Sequence, residues 1–180
     1  GEELPLHGTI SNTPCHSLFA ETDDAGIHVK AVLYDGHPFG RNLKLEREYF
    51  FPADKNEFIL TDTVTNLGSE EEPYEILYHC NMGYPLLDED SILTIPSISV
   101  TPRNDHAATG LGNWSKVENP TPGYEEMCFF HEMEKAARVS LEQPKLGLGV
   151  ALEYDSENLP FFTQWKMMRE TMYVMGLEPG

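Results

Sequence analysis

The sequence predicts an all-β fold, an antiparallel β-sandwich, from two features of its pattern. The 14 glycines and 13 prolines are spread along the 180 residues, so turns are frequent. Between the turns, apolar residues recur at every second position, as they do in strands with one buried face. About nine or ten short strands, with a turn every 8–12 residues or so, are typical of a sandwich.

The clearest alternation lies in the first third of the chain. Segments 27–34, 42–51 and 58–65 each alternate apolar with polar side chains, and residues 66–69 (Asn-Leu-Gly-Ser) form a predicted turn. β-Branched and aromatic residues are frequent in most of the remaining strand candidates. These further strands are predicted at 73–82, 91–100, 124–131, 147–154, 160–167 and 171–178.

Two segments are less regular. Segment 131–142 contains good helix formers, but its end, 137–142, alternates cleanly, which favours a strand. Segment 101–123 contains several prolines and glycines and is predicted to be a long loop. Long loops in compact domains often carry function.

Charge and composition exclude several classes of protein. The formal net charge is −18, which opposes binding to nucleic acid and to anionic membranes. No apolar run approaches the ~20 residues of a membrane-spanning helix, and the first residues do not resemble a signal peptide. The three cysteines show no pairing pattern, so we expect a reducing, cytoplasmic location. The chain is expected to form one domain over 1–180.

One candidate for chemistry is the segment 78–84, Tyr-His-Cys-Asn-Met-Gly-Tyr. In a strand over 74–82, His79 and Asn81 share a face, and Gly83 follows where the backbone can approach a ligand. An imidazole beside an amide suits the binding of sugar hydroxyls or acid–base work near neutral pH. The alternative is an exposed polar strand face.

Another candidate is Glu178, near the end of an apolar strand. Its side chain shares a face with Met172, Val174 and Gly176, and burial there would raise its pKa into the range of a general base. The alternative is a frayed terminal acid. The other histidines show no ligand spacing, so no metal site is expected.

Four motifs together resemble the galactose mutarotase (aldose 1-epimerase) superfamily, and most closely its divergent bacterial members of unassigned function. The family has equivalents of all four in the same order. They are Leu6-His7-Gly8, the segment 78–84, Gly123-Tyr124-Glu125 and Gly176-Leu177-Glu178-Pro179.

The resemblance implies a sugar isomerase that interconverts anomers by acid–base ring opening, without metal or cofactor. It implies that Glu178 is the base, His79 the acid, and His7 a group that binds or polarises near the ring oxygen. Glu125 would hold sugar hydroxyls, although it replaces the aspartate of the family, and Glu126 is a competing choice.

Other side chains are expected to add contacts to the small-molecule sugar. Gln164 and Lys166 share a strand face before Glu178, Asn81 adds an amide, and Arg103 would meet an anionic group. Aromatic rings stack on pyranose faces. The candidates are Tyr84, Trp114, Tyr124 and Trp165.

The resemblance also implies a galactose-mutarotase-like supersandwich, of which this chain is expected to be the middle portion. The alternatives are a non-catalytic carbohydrate-binding β-sandwich and a structural or interaction sandwich, because a fold does not fix a function.

Overall fold

The computed structural model describes residues 5–135 and 137–180. The chain divides into two compact units, residues 1–74 and 75–180. Each unit has its own antiparallel sheets. The expectation of one domain over 1–180 remains a prediction.

The first unit is a four-stranded antiparallel meander. A 3₁₀ turn (Ile10–Asn12) precedes β1 (Ser17–Thr22), β2 (Gly26–Gly36), β3 (Asn42–Pro52) and β4 (Ile59–Asn66), which pair in that order. The strands predicted at 27–34, 42–51 and 58–65 are confirmed. Strand β1 was not predicted, since it is short and all six of its residues are exposed.

The register gives this sheet one mainly apolar face. Ile27 lies opposite Phe51, and Leu33 lies opposite Leu45. Among the residues described in this unit, Leu45 is the one large hydrophobic side chain that is buried. The apolar side chains of this sheet therefore contribute little buried core of their own.

The second unit contains the remaining elements. They are β5 (Cys80–Gly83), β6 (Ile92–Thr94), β7 (Ser97–Pro102), α1 (Asp105–Thr109), a second 3₁₀ turn (Leu111–Asn113), β8 (Met127–Met133), β9 (Ala137–Gln143), β10 (Leu148–Tyr154), β11 (Phe162–Arg169) and β12 (Met172–Pro179). One sheet has the strand order β5-β12-β11-β8-β7, and the other has the order β10-β9-β6. All pairs between these strands are antiparallel.

The core of the second unit lies between its two sheets. Leu141 of β9, Met168 of β11 and Met175 of β12 are fully buried in one hydrophobic cluster. Because both sheets supply side chains to the cluster, they pack as the two layers of a β-sandwich. The strands that supply the cluster thus have one face in the core and one face away from it.

Three predicted segments differ in detail from the structure. The strand expected at 73–82 pairs only from Cys80 onward. The strand expected at 91–100 is divided into β6 and β7, with Pro96, which has no N–H to donate, between them. The expected loop 101–123 contains α1, capped by the Asn104 side chain, which accepts a hydrogen bond from the Ala107 N–H at 2.9 Å.

The end of segment 131–142 is a strand, as its alternation predicts, and forms β9. In the part of the chain that the structure describes, no helix is long and apolar enough to cross a membrane.

Candidate active site

The five-stranded sheet carries polar, acidic and aromatic side chains on the face turned away from the core. In the register, Glu178 lies opposite Thr163, and Gly176 lies opposite both Trp165 and Asn81. Paired residues in an antiparallel sheet project to the same side. Asn81, Trp165, Gly176 and Glu178 therefore share this surface, which we call the site face.

The pairing of β5 with β12 brings His79 to Glu178. The ladder ends with Cys80 opposite Leu177, so the next residue along, His79, comes opposite Glu178. The Tyr78 N–H continues the pairing by donating to the Pro179 carbonyl at 2.9 Å. Nε2 of His79 lies 3.1 Å from Oε1 of Glu178. Two segments almost a hundred residues apart thus supply an imidazole and a carboxylate in direct contact.

The surroundings of Glu178 favour uptake of a proton. The residue is only 5% exposed. Burial raises the pKa of its carboxyl group, and the nearby His79 imidazole opposes part of that rise. Oε1 lies beside the His79 imidazole, but it accepts no hydrogen bond of good geometry from the described residues. A carboxylate in this environment is a stronger base than one in water.

A second polar cluster adjoins the pair through Trp165. The indole Nε1–H donates to Oε2 of Glu126 at 2.8 Å, and Nη2 of Arg103 donates to Oε1 of Glu126 at 2.7 Å. The Trp165 ring stands edge-on to the His79 ring, with 5.6 Å between the ring centroids. These contacts form one row across the site face, from His79 through Trp165 to Arg103.

The Arg103 guanidinium and the Trp165 N–H keep Glu126 ionised. The hydrogen bond from Arg103 is the largest cause that lowers the pKa of this carboxyl group, and the bond from Trp165 adds to it. The pKa values of the two carboxyl groups at the site face are therefore shifted in opposite directions. Glu178 tends to take a proton, whereas Glu126 remains a fixed acceptor of hydrogen bonds.

Of the two neighbouring acids, Glu126 is the one that joins the site face. The Glu125 side chain is 73% exposed, and its Oε2 lies 4.0 Å from Nδ1 of His106. The resemblance implied Glu125 as the residue that holds hydroxyls, with Glu126 as the competing choice. The structure connects Glu126, not Glu125, to Trp165.

Gln164 and Lys166 do not lie beside Glu178, which corrects the sequence-based expectation. Gln164 pairs with Leu177 rather than with Glu178, so both side chains point to the opposite, core-facing side of β11. They are 0% and 1% exposed. They do share a face, but alternation along β11 gives the site face to Thr163 and Trp165 instead.

Gln164 and Lys166 hold the long segment between β7 and β8 in place. Nε2 of Gln164 donates to the Trp114 carbonyl at 2.9 Å. Nζ of Lys166 donates to the Lys116 carbonyl at 2.7 Å and lies 2.8 Å from Oε2 of Glu118. Burial lowers the pKa of Lys166, while Glu118 opposes that change.

The remaining expected residues are distributed as follows. Asn81 is exposed on the site face, and Arg103 is half exposed there with Glu126 as its partner. His7 belongs to the first unit, in the exposed turn before the first 3₁₀ turn. Its role near the ring oxygen stays a prediction. Among the described residues, no group of three or more His, Cys, Asp or Glu side chains could hold a metal ion.

Sequence reasoning missed the link from Trp165 to Glu126. The sequence marks Trp165 only as one of several stacking candidates. The link depends on the pairing of β11 with β8, which sets Trp165 opposite Cys128 and close to the start of β8. Only the three-dimensional register carries that signal.

The fold and the site face define a sandwich of the aldose 1-epimerase-like superfamily, and the predicted resemblance is confirmed. A crystal structure from Klebsiella pneumoniae subsp. pneumoniae MGH 78578, named "putative aldose 1-epimerase", is similar to this chain with a TM-score of 0.91 and 29% sequence identity. The match covers 97% of this chain and 48% of that protein, so the chain spans about half its length.

At the level of family, residues 1–180 match the model described as "Domain of unknown function (DUF4432)", and the chain belongs to this family. No curated protein matches the chain.

Proposed function

We propose that this protein is a sugar isomerase that interconverts the anomers of an aldose or sugar derivative by acid–base ring opening. The observation that carries the proposal is the contact between His79 and the buried carboxylate of Glu178, with 3.1 Å between Nε2 and Oε1. The fold shared with the Klebsiella protein supports the same class of reaction.

The proposed reaction needs one base and one acid near a single carbon. The anomeric carbon of a cyclic aldose carries both the C1 hydroxyl and the ring oxygen. Glu178 takes the proton of the C1 hydroxyl while His79 gives a proton to the ring oxygen, so the C1–O bond to the ring breaks and a C1 aldehyde forms. After rotation about C1–C2, both protons return, and the ring closes to the other anomer.

The chemistry of the two side chains suits these roles. Burial raises the pKa of Glu178, and a base works best when its pKa approaches the working pH. An imidazole is the side chain best suited to give and regain a proton near neutral pH. Neither group ends the cycle changed, so the proposed reaction consumes no co-reactant, metal or cofactor.

Substrate binding is proposed for the row that continues from the acid–base pair. Glu126, fixed by Arg103 and Trp165, would accept hydrogen bonds from sugar hydroxyls, and Asn81 would add an amide. The Trp165 ring offers an aromatic surface for the apolar face of a pyranose. Since Arg103 is already paired with Glu126, an anionic sugar would have to compete for it.

The proposed ligand is a small-molecule sugar, and the net charge of −18 opposes nucleic acid as a partner.

The three cysteines, Cys15, Cys80 and Cys128, are all free thiols. Free thiols agree with the reducing cytoplasm that we propose as the location.

The proposal is tested by NMR saturation transfer between the anomer signals of a panel of neutral and acidic aldoses. We expect the protein to accelerate exchange on at least one sugar above the uncatalysed rate. His79→Ala should abolish that acceleration, whereas His37→Ala, at an exposed histidine of the first unit, should preserve it. Sugar binding without accelerated exchange would contradict the proposal and support a non-catalytic carbohydrate-binding sandwich.

A further inference from the structure

Gly176 occupies the point on β12 where the Glu178 carboxylate folds back over the strand. A Cβ atom built on Gly176 would overlap Oε1 of Glu178 and would lie 3.1 Å from Cδ of the same side chain. It would also lie 3.2 Å from Cβ of Trp165, the residue opposite Gly176 in β11. The carboxylate therefore fills space that a side chain at position 176 would otherwise take.

Backbone conformation does not explain the glycine. The described glycines with positive φ are Gly8, Gly26, Gly123 and Gly147, and Gly176 is not among them. It is buried in the middle of a regular strand, where glycine is less favourable than residues with a side chain. What remains unusual about the position is the nearness of Glu178.

We propose that Gly176 is a positioning residue, whose missing side chain lets the Glu178 carboxylate lie back along β12 in contact with His79. This inference rests on the proposed function and deepens it, because it explains how the base is held. A carboxylate at the end of a flexible side chain has many rotamers, and the space above Gly176 selects the one that meets the imidazole.

Gly176→Ala should impair anomer exchange without unfolding the protein. The new methyl group displaces the far end of a flexible side chain, and Trp165 has to move by only a few tenths of an ångström, so the protein still folds. The carboxylate, however, must rotate away from His79. A displacement of about 1 Å costs about 100-fold in rate, so we expect kcat for anomer exchange to fall about 100-fold, with a smaller change in KM.

The test compares Gly176→Ala with Gly112→Ala, at a glycine where a Cβ would have no atom within 4 Å. Circular dichroism checks that both variants fold. Anomer exchange gives kcat and KM, and ¹³C NMR gives the titration of the Glu178 carboxyl group. We expect Gly112→Ala to match the wild type. In Gly176→Ala the Glu178 pKa should change, because the rotated carboxylate leaves both the buried position that raises this pKa and the imidazole that opposes the rise.

An unchanged Glu178 titration in a folded Gly176→Ala variant would overturn the inference. Failure of the proposed function has a different signature, which is that the wild type accelerates exchange on no sugar. In that case the titration alone decides the role of Gly176, since it reports where the carboxylate lies and not what it catalyses.

Discussion

The carboxyl group of Glu178 is buried beside a single imidazole, and this placement has a consequence for stability as well as chemistry. Burial raises its pKa in the folded protein above that in the unfolded chain. A raised pKa means that the folded state binds the proton more tightly, so the contribution to stability is fully present below the unfolded pKa. That contribution is lost as the pH rises through the folded pKa.

Glu178→Gln should therefore make the folded protein more stable at pH 7, although it removes the proposed base. The amide has similar volume and no charge to bury. We expect a higher free energy of unfolding than in the wild type at pH 7, and a difference that shrinks as the pH falls to about 4. Urea denaturation at the two pH values measures this. A variant less stable than the wild type at pH 7 would show that contact with His79 outweighs the cost of burial.

Two other titratable groups influenced by Glu178 do not complicate this interpretation. Burial raises the pKa of the Cys80 thiol, and it raises that of Cys128 to about 11. Both thiols are therefore neutral over the range in which Glu178 titrates. Neither thiol therefore contributes to the pH dependence of the stability difference between wild type and Glu178→Gln.

The segment between β7 and β8 carries Arg103 near its start and Glu126 near its end, and strand β11 holds its middle. Lys166, 1% exposed, donates hydrogen bonds to the carbonyls of Asn113 and Lys116 and pairs with Glu118. The Tyr173 hydroxyl of β12 donates to the Glu118 carbonyl at 2.7 Å. The core-facing side of the sheet thus supports the segment whose two ends meet on the site face.

Removing this anchor should cost stability. We expect Lys166→Met to lower the free energy of unfolding by about 3 kcal/mol, because buried carbonyls lose their donor and Glu118 loses its partner. Lys145→Met is the matched control, since Lys145 forms an ion pair with Asp90 at the surface and is 70% exposed. The control should change stability by less than about 1 kcal/mol. Equal effects in the two variants would show that burial adds nothing to the Lys166 contacts.

The alternating pattern predicted most strands, but it did not predict which side of each strand carries the candidate site. The strands with clean alternation, such as 27–34, formed as expected. In β11 the polar residues Gln164 and Lys166 point into the core, because the segment that folds over them offers carbonyls and Glu118 as partners. That compensation comes from residues about 50 positions away, and a local pattern cannot reveal it.

The candidate site was predictable only as a set of motifs. The resemblance named His79 and Glu178, and the register of β5 with β12 then places them in contact. The choice between Glu125 and Glu126 depended on where β8 begins relative to β11. The space above Gly176 depends on a side-chain rotamer, which the sequence pattern does not reveal.

The distribution of buried residues differs strongly between the two units of the chain. In the part of the first unit that the structure describes, Leu45 is the one large hydrophobic side chain that is buried, whereas the second unit buries a continuous cluster between two sheets. Regions with little buried apolar surface open locally at low free energy. The two units should therefore differ in how often their hydrogen bonds open.

Amide hydrogen exchange measures this difference directly. We expect the strand amides of β1–β4 to exchange faster than those of β9, β11 and β12 under native conditions. The terminal strand β12 should be well protected, because it pairs on both sides and the Gly180 backbone exchanges two hydrogen bonds with Phe161. Equal protection in the two units would mean that something outside the described residues stabilises the first sheet.

The most direct test of the proposed chemistry measures anomer exchange and sugar binding together in the wild type and in Glu178→Gln. The sugar is the one that the wild type exchanges fastest, and the same samples serve saturation transfer and titration calorimetry. If Glu178 is the base, the variant loses the acceleration and keeps an affinity within about tenfold of the wild type, because the amide fills the same space. Exchange that persists at the wild-type rate in Glu178→Gln would contradict the assignment of this residue and the mechanism built on it.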